Sequence, residues 1–210
     1  MAPQAVIFDF DGTLVDTMDG FADIAAGVIH RRFGLPPDRA RAEYLATSGL
    51  PFRQQLDLIV PGRPGLDEAA AEFEAAKLDG FFAERFSDDV HAAVAGLQAR
   101  GILAIVSSNN FQHLIDAFVA RDPAVRFDLV LGARENFFKG ADHFAHIERT
   151  FAIPRDRMLF VGDSLKDGER ARDCNVPFVA RLGTFTRQDF ERRFPGVRAV
   201  ETLSQLLEIL

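Results

Sequence analysis

Two carboxylates, Asp9 and Asp11, stand at the end of the apolar run Val6-Ile7-Phe8, and this placement constrains the fold more than any other feature of the chain. The run has the β-branched and aromatic character of a fully buried strand, and Gly12 supplies the backbone freedom to end it. Both acids then lie at the strand's carboxyl end, where ligands bind in open α/β sheets. A buried carboxylate without a partner loses several kcal/mol of hydration, so the pair needs a cation or hydrogen bonds. Asp-Gly is also ordinary turn chemistry, and the segment alone is compatible with either reading.

Phe21, Ile24, Ala25, Val28, Ile29 and Phe33 recur at helical spacing, with Thr17 or Asp19 as a cap and Gly34 followed by Pro36-Pro37 as a stop. Further helical patterns occupy 38–47, a short stretch after Pro51, and an Ala- and Glu-rich segment carrying Leu66, Ala70, Phe73 and Phe81; Pro61-Gly62-Arg63-Pro64-Gly65 is a breaker between them. An all-helical block of this length exceeds a single crossover, so residues 16–86 are expected to form an inserted helical cap domain. From 87 onward the pattern reads helix 88–100, strand 102–106, helix 111–120, strand 127–131, helix 140–151, strand 158–162, helix 165–174, strand 177–181 and a terminal helix from 202, with Val197-Arg198-Ala199-Val200 as a short edge strand. Such alternation predicts an α/β fold with a Rossmann-like, doubly wound parallel sheet in three layers, built from 1–15 and 87–210.

Composition narrows the classes of function. A net charge of -7 argues against a general nucleic-acid partner, which would need a basic face. No apolar run approaches the roughly 18 residues that span a bilayer, so no membrane partner is expected. The N-terminal region lacks a basic stretch followed by an uninterrupted apolar core, because Asp9 and Asp11 interrupt it; with Cys174 as the single cysteine, this suggests a cytoplasmic protein. The aromatic residues are almost all Phe and predict a Phe-rich core. Lysine occurs only as Lys77, Lys139 and Lys166, so any lysine duty falls on very few candidates.

A second acidic cluster follows the apolar run Met158-Leu159-Phe160-Val161. Gly162-Asp163-Ser164-Leu165-Lys166-Asp167 sets two acids four apart on a strand-to-helix turn, a spacing that brings both to one face, at the edge where Asp9 and Asp11 emerge. Acids here also favour a helix N-terminus, but four acids converging on one edge need a cation. Carboxylates without His or Cys select a hard, oxygen-seeking ion, and a site that must leave room for water favours Mg²⁺ over Ca²⁺.

The string Asp9-Phe10-Asp11-Gly12-Thr13-Leu14-Val15-Asp16-Thr17 resembles the first motif of the haloacid dehalogenase-like hydrolases. Nearly the whole chain is similar to their helical-cap branch, which contains phosphoglycolate phosphatases and β-phosphoglucomutases. The resemblance implies a covalent phosphoryl intermediate on Asp9, with Asp11 as general acid and then general base. It implies Mg²⁺ held by the Asp9 carboxylate, the Asp11 backbone carbonyl and Asp163, with Asp167 acting mainly through these ligands. It further implies that Ser107, assisted by backbone amides around Ser108 and Asn109, hydrogen-bonds the transferring phosphoryl group, and that Lys139 binds phosphate. Many relatives follow that lysine with Pro, where this chain has Gly140. His30, His91, His113, His143 and His146 are read as surface or partly buried helix positions, and Lys77 as solvated.

Asp11 separates this pattern from dehalogenases, which lack the second acid, and from phosphonatases, which carry a small apolar residue there. Phe21 stands near the place where mutases keep a priming His, so hydrolysis is favoured. Thr47-Ser48-Gly49-Leu50-Pro51-Phe52-Arg53 looks like the cap loop that reaches into the site in relatives, with Gly49 permitting close approach and Arg53, or more weakly Arg85, contacting a polar leaving group. An interhelical turn with a surface arginine fits the same residues. The expected function is a Mg²⁺-dependent phosphatase for a small phosphorylated metabolite. A phosphosugar mutase of the same family and a non-catalytic phosphate-binding or regulatory protein are the alternatives, and monomer and homodimer are both compatible with the sequence.

Overall fold

The computed structural model describes residues 2–210, apart from the side chain of Asp79. Among the described residues six parallel strands form one sheet: β1 (Ala5–Phe8), β2 (Leu103–Phe111), β3 (Leu129–Ala133), β4 (Met158–Gly162), β5 (Phe178–Arg181) and β6 (Arg198–Val200), in the order β3-β2-β1-β4-β5-β6. β1 is central because all four of its side chains are apolar and fully buried, which leaves it no face to present to water. Phe8 stands opposite Val106 of β2 on one side and Val161 of β4 on the other. The strand order reverses at β1, and a reversal of this kind opens a crevice at the carboxyl ends of the strands on either side.

The connecting helices are α5 (Asp88–Ala99), α6 (Gln112–Val119), α7 (Ala141–Phe151), α8 (Leu165–Asp173), α9 (Arg187–Arg193) and α10 (Leu206–Ile209). Alternation along β1 sends Ala5 and Ile7 to one side of the sheet, where they pack with Ile105, Phe144, Ile147 and Phe160. Phe10 joins Phe118 and Phe86 in edge-to-face contact, with ring centroids 5.1 and 6.2 Å away. Burial of each such ring contributes about 1.5–3 kcal/mol, which is how a core rich in Phe holds the sheet.

The chain divides into two compact units: the residues to Val15 together with Arg85–Leu210, and Asp16–Glu84. The second unit contains α1 (Met18–Phe33), α2 (Pro37–Ala46), α3 (Phe52–Ile59) and α4 (Leu66–Phe81). Its centre is aromatic, with Phe52 4.1 Å, Tyr44 5.7 Å and Phe21 6.3 Å from the Phe73 ring. Lys77 is not simply solvated. Its ammonium lies 4.8 Å from the centroid of Phe21, because the long stem of lysine packs on the aromatic layer while the charge meets the ring face. No helix of the described residues is long and apolar enough to cross a membrane.

Candidate active site

The chain leaves β1 by folding tightly on itself. The Phe10 carbonyl accepts from the amides of Leu14 (2.9 Å) and Val15 (3.0 Å), and Gly12, at φ 74°, donates to the Val15 carbonyl at 2.8 Å. That left-handed conformation is open to Gly at little cost. The Asp9 amide continues the sheet by donating to the Val161 carbonyl at 2.8 Å, so the Asp9 side chain is held at the crevice, only 5% exposed. Asp11 follows on the turn, where its carboxylate accepts from Asn110 Nδ2 at 2.7 Å.

β4 and α8 deliver the second pair. Ser164 caps α8, accepting from the Asp167 amide at 3.1 Å, and its hydroxyl donates to Asp167 Oδ2 at 2.7 Å. Gly162 permits this turn, since a Cβ there would lie 2.7 Å from Asp167 Oδ2. Lys139, just before α7, donates to Asp9 Oδ1 at 2.7 Å and lies 2.8 Å from Asp167 Oδ1, where Arg170 also approaches at 3.4 Å. Asp163 accepts from the Thr184 hydroxyl. Carboxylate oxygens of Asp9, Asp163 and Asp167 lie within 4.8 Å of one another, and all three side chains are buried.

Burial dominates the electrostatics of this cluster. It pushes Asp9 well above the usual carboxylate range, against the pull of Lys139 and with the help of Asp167 and Asp163. It pushes Asp163 up to about 7, with Asp167 adding to it and Thr184 and Lys139 opposing it. Asp167 is the exception: Lys139 and Arg170 outweigh its burial and hold it below the usual value. Burial acts downward on Lys139, but Asp167 and Asp9 outweigh it and keep the ammonium charged. Asp167 is therefore neutralised by its own cations, whereas Asp9 and Asp163 share a deficit of positive charge. A hard divalent cation fits that deficit and that all-oxygen donor set.

β2 stays in the sheet beyond its apolar run, and Ser107 follows Val106 as Asp9 follows Phe8, the residue opposite Val106. Ser107 is fully buried, and its hydroxyl lies 2.8 Å from His143 Nδ1. Ser108 uses its own hydroxyl locally, accepting from the Asn110 amide at 3.0 Å, while Asn109 is half-buried on the same strand. Two residues escaped the sequence reading. Asn110 holds Asp11, and the signal for it was only that it follows Asn109 at the tip of a strand. His143 is completely buried rather than a surface or partly buried position, because the Phe137 ring packs 4.6 Å from it and α7 turns it inward.

Gly49 and Arg53 belong to the unit of residues 16–84. Gly49, at φ 90°, lies in the turn after α2. The Arg53 guanidinium in α3 is taken up by Asp57 and Asp67 of the same unit. Arg85 is exposed.

Burial, with Lys139 adding to it, pushes His143 down to about 3 from an ordinary 6.5. Between these values the unfolded ring binds a proton and the folded one does not, so stability falls as pH drops from 6.5 toward 3, by about 1.4 kcal/mol per pH unit at most. Above 6.5 the group contributes no slope. His143→Leu is expected to flatten the urea midpoint against pH in this window; the wild-type slope retained in the variant would assign the acid sensitivity to other groups.

Three comparisons bear on this site. A sequence profile described as haloacid dehalogenase-like hydrolase matches residues 6–181. N-acetylmuramic acid 6-phosphate phosphatase of Pseudomonas aeruginosa is 26% identical over 228 residues, covering 100% of this chain and 96% of the relative. Phosphoglycolate phosphatase of Rhodospirillum rubrum is 26% identical over 202 residues, covering 89% of this chain and 82% of the relative. The fold matches that of a haloacid dehalogenase-like hydrolase family protein of Streptococcus pneumoniae with a TM-score of 0.80 at 18% identity, over 99% of each chain.

Proposed function

The chain belongs to the haloacid dehalogenase-like hydrolases, and from that premise we propose that it is a phosphatase that hydrolyses a small phosphomonoester through Asp9. The observation that carries this reading is the second acid: Asp11 follows the candidate nucleophile by two residues and is held by Asn110 at 2.7 Å. A dehalogenase has no use for such a group. In phosphoryl transfer it supplies the proton that the leaving oxygen needs.

Asp9, the Asp11 backbone carbonyl and Asp163 would hold Mg²⁺, the ion suited to oxygen donors that must also admit a phosphate oxygen and water. When bound, the ion supplies positive charge that neutralises the phosphoryl oxygens and lowers the proton affinity of Asp9 and Asp163. Lys139, tied to Asp9 and Asp167, adds a fixed ammonium to the same oxygens, and Ser107 donates a hydrogen bond. An Asp9 oxygen attacks phosphorus, the bond from phosphorus to the alcohol oxygen breaks, and Asp11 gives that oxygen a proton. Water then attacks the aspartyl-phosphate at phosphorus, Asp11 takes its proton back, and phosphate leaves with the Asp9 carboxylate restored.

Asp167 serves this chemistry by anchoring Lys139, since its oxygens are already engaged by Lys139, Arg170 and Ser164. Residues 16–86, as a cap on the core of 1–15 and 87–210, would choose among leaving groups, with Gly49 and Arg53 as candidates. For Arg53 that role requires giving up part of its pairing with Asp57 and Asp67.

Phosphate release from a panel of phosphomonoesters tests the proposal. The panel includes phosphoglycolate and N-acetylmuramic acid 6-phosphate, the esters named for the relatives, with sugar phosphates, nucleotides and an aryl phosphate. Turnover of at least one ester is expected with Mg²⁺ and not with chelator, together with a Mg²⁺-dependent rise in melting temperature. Folded, Mg²⁺-binding protein that releases phosphate from none of them would count against a phosphatase, and phosphate moved within the substrate would indicate a mutase.

A further inference from the structure

We propose that His143 is a positioning residue for phosphoryl recognition, holding the Ser107 hydroxyl so that it donates into the site rather than into the protein. The inference rests on the reading of Ser107 as a phosphoryl ligand. One short segment carries both contacts: Lys139 reaches Asp9 at 2.7 Å, and four residues later His143 reaches Ser107 at 2.8 Å. The imidazole is fully buried against Phe137, and its Nε2 makes no hydrogen bond of good geometry. An apolar side chain would serve packing alone better, because a buried polar ring with an unused nitrogen is costly.

The proton count shows what the ring can do. A serine hydroxyl has one proton to give and lone pairs to accept with, and a neutral imidazole has one N–H. With that proton on Nε2, Nδ1 takes the hydroxyl proton, and Ser107 turns only lone pairs toward a phosphoryl oxygen. With it on Nδ1, the imidazole donates to Oγ and the hydroxyl proton is free for the phosphoryl oxygen. Phosphoryl oxygens only accept, so the second arrangement is the productive one. The Gly132 carbonyl favours a proton on the ring, but Nε2 has no hydrogen bond of good geometry to lose when the proton sits on Nδ1. Burial and Lys139 keep the ring neutral, so a single proton is shared between the two nitrogens.

The test compares Ser107→Ala, His143→Leu, His143→Asn and the double variant Ser107→Ala/His143→Leu. It reads kcat/KM on the best ester of the panel, the Kd of inorganic phosphate by calorimetry, and the melting temperature at neutral pH. Ser107→Ala is expected to lower kcat/KM about a hundredfold, the scale of one lost oxyanion donor. His143→Leu is expected to lower it about tenfold and to weaken phosphate binding alike, the scale of one misdirected hydrogen bond, with no fall in melting temperature. His143→Asn, whose amide N–H stands near the Nδ1 position, should recover most of the loss, and His143→Leu should add nothing once Ser107 is Ala. Wild-type kcat/KM in His143→Leu beside an impaired Ser107→Ala would overturn the positioning role alone. The same loss from His143→Leu with and without Ser107, joined to a lower melting temperature, would make the role structural and overturn it too. Wild-type activity in Ser107→Ala would overturn the phosphoryl role of Ser107 on which the inference stands.

Discussion

Asp9→Asn is expected to lower phosphate release by about 10⁴-fold or more, the scale on which loss of a covalent nucleophile acts. The amide cannot form the aspartyl-phosphate, whatever else it preserves. Its effect on stability should run the other way. Asp9 and Asp163 are both pushed up by burial and by the carboxylates around them, so an uncharged side chain at position 9 relieves repulsion while Lys139 keeps Asp167 at 2.8 Å. The urea midpoint in chelator should therefore hold or rise, and the stabilisation that Mg²⁺ gives should shrink because one ligand has lost its charge. Activity within tenfold of wild type would remove Asp9 from the chemistry.

Lys139→Met is expected to cost about 3–5 kcal/mol of stability in chelator, because it strips a buried ammonium from carboxylates that stay buried. Asp9 loses its hydrogen bond at 2.7 Å, and Asp167 keeps only the Ser164 hydroxyl and the longer contact to Arg170 at 3.4 Å. Saturating Mg²⁺ should recover part of the stability by returning positive charge to Asp9 and Asp163, but not activity, since the fixed cation against the phosphoryl group is gone. Lys139→Arg should rescue poorly, because a planar five-donor fork does not fit a pocket built for a compact ammonium. Urea denaturation with and without Mg²⁺ checks both, and an unchanged midpoint in Lys139→Met would contradict a network in which Lys139 holds Asp9 and Asp167.

The parts of the fold legible in the sequence were those where burial alone sets the pattern. β1 carries four apolar residues, all fully buried, and the turn after it is marked by Gly12. Where the site takes over from the core, the pattern fades. The apolar run of β2 stops at Val106, yet the strand continues to Phe111, because the backbone still pairs with β3, Phe111 standing opposite Ala133 after an irregularity in register. Ser107 and Asn110 look like a loop in sequence because their side chains answer to His143 and Asp11 rather than to a hydrophobic neighbour. β3 itself lies at 129–133, two residues later than the apolar run suggests, and the Asp128 carboxylate just before it accepts from the Ala104 amide. α9 went unseen because Phe190 is its one buried residue, although Thr186 and Asp189 form a capping box that could have flagged it. The terminal helix shrinks to Leu206–Ile209 after Asp89 captures the amides of Leu203 and Ser204. The carboxylates of Asp9, Asp163 and Asp167 were readable from strand ends, whereas the partner of Ser107 lies 36 residues away on another element and leaves no local trace.

The most direct test of Asp9 as nucleophile is the stereochemical course at phosphorus, followed with the best ester of the panel in a thiophosphate form made chiral with oxygen isotopes. Attack by Asp9 and then by water inverts phosphorus twice, so net retention is the expected result. Net inversion, the signature of a single attack by water, would contradict an aspartyl-phosphate on Asp9.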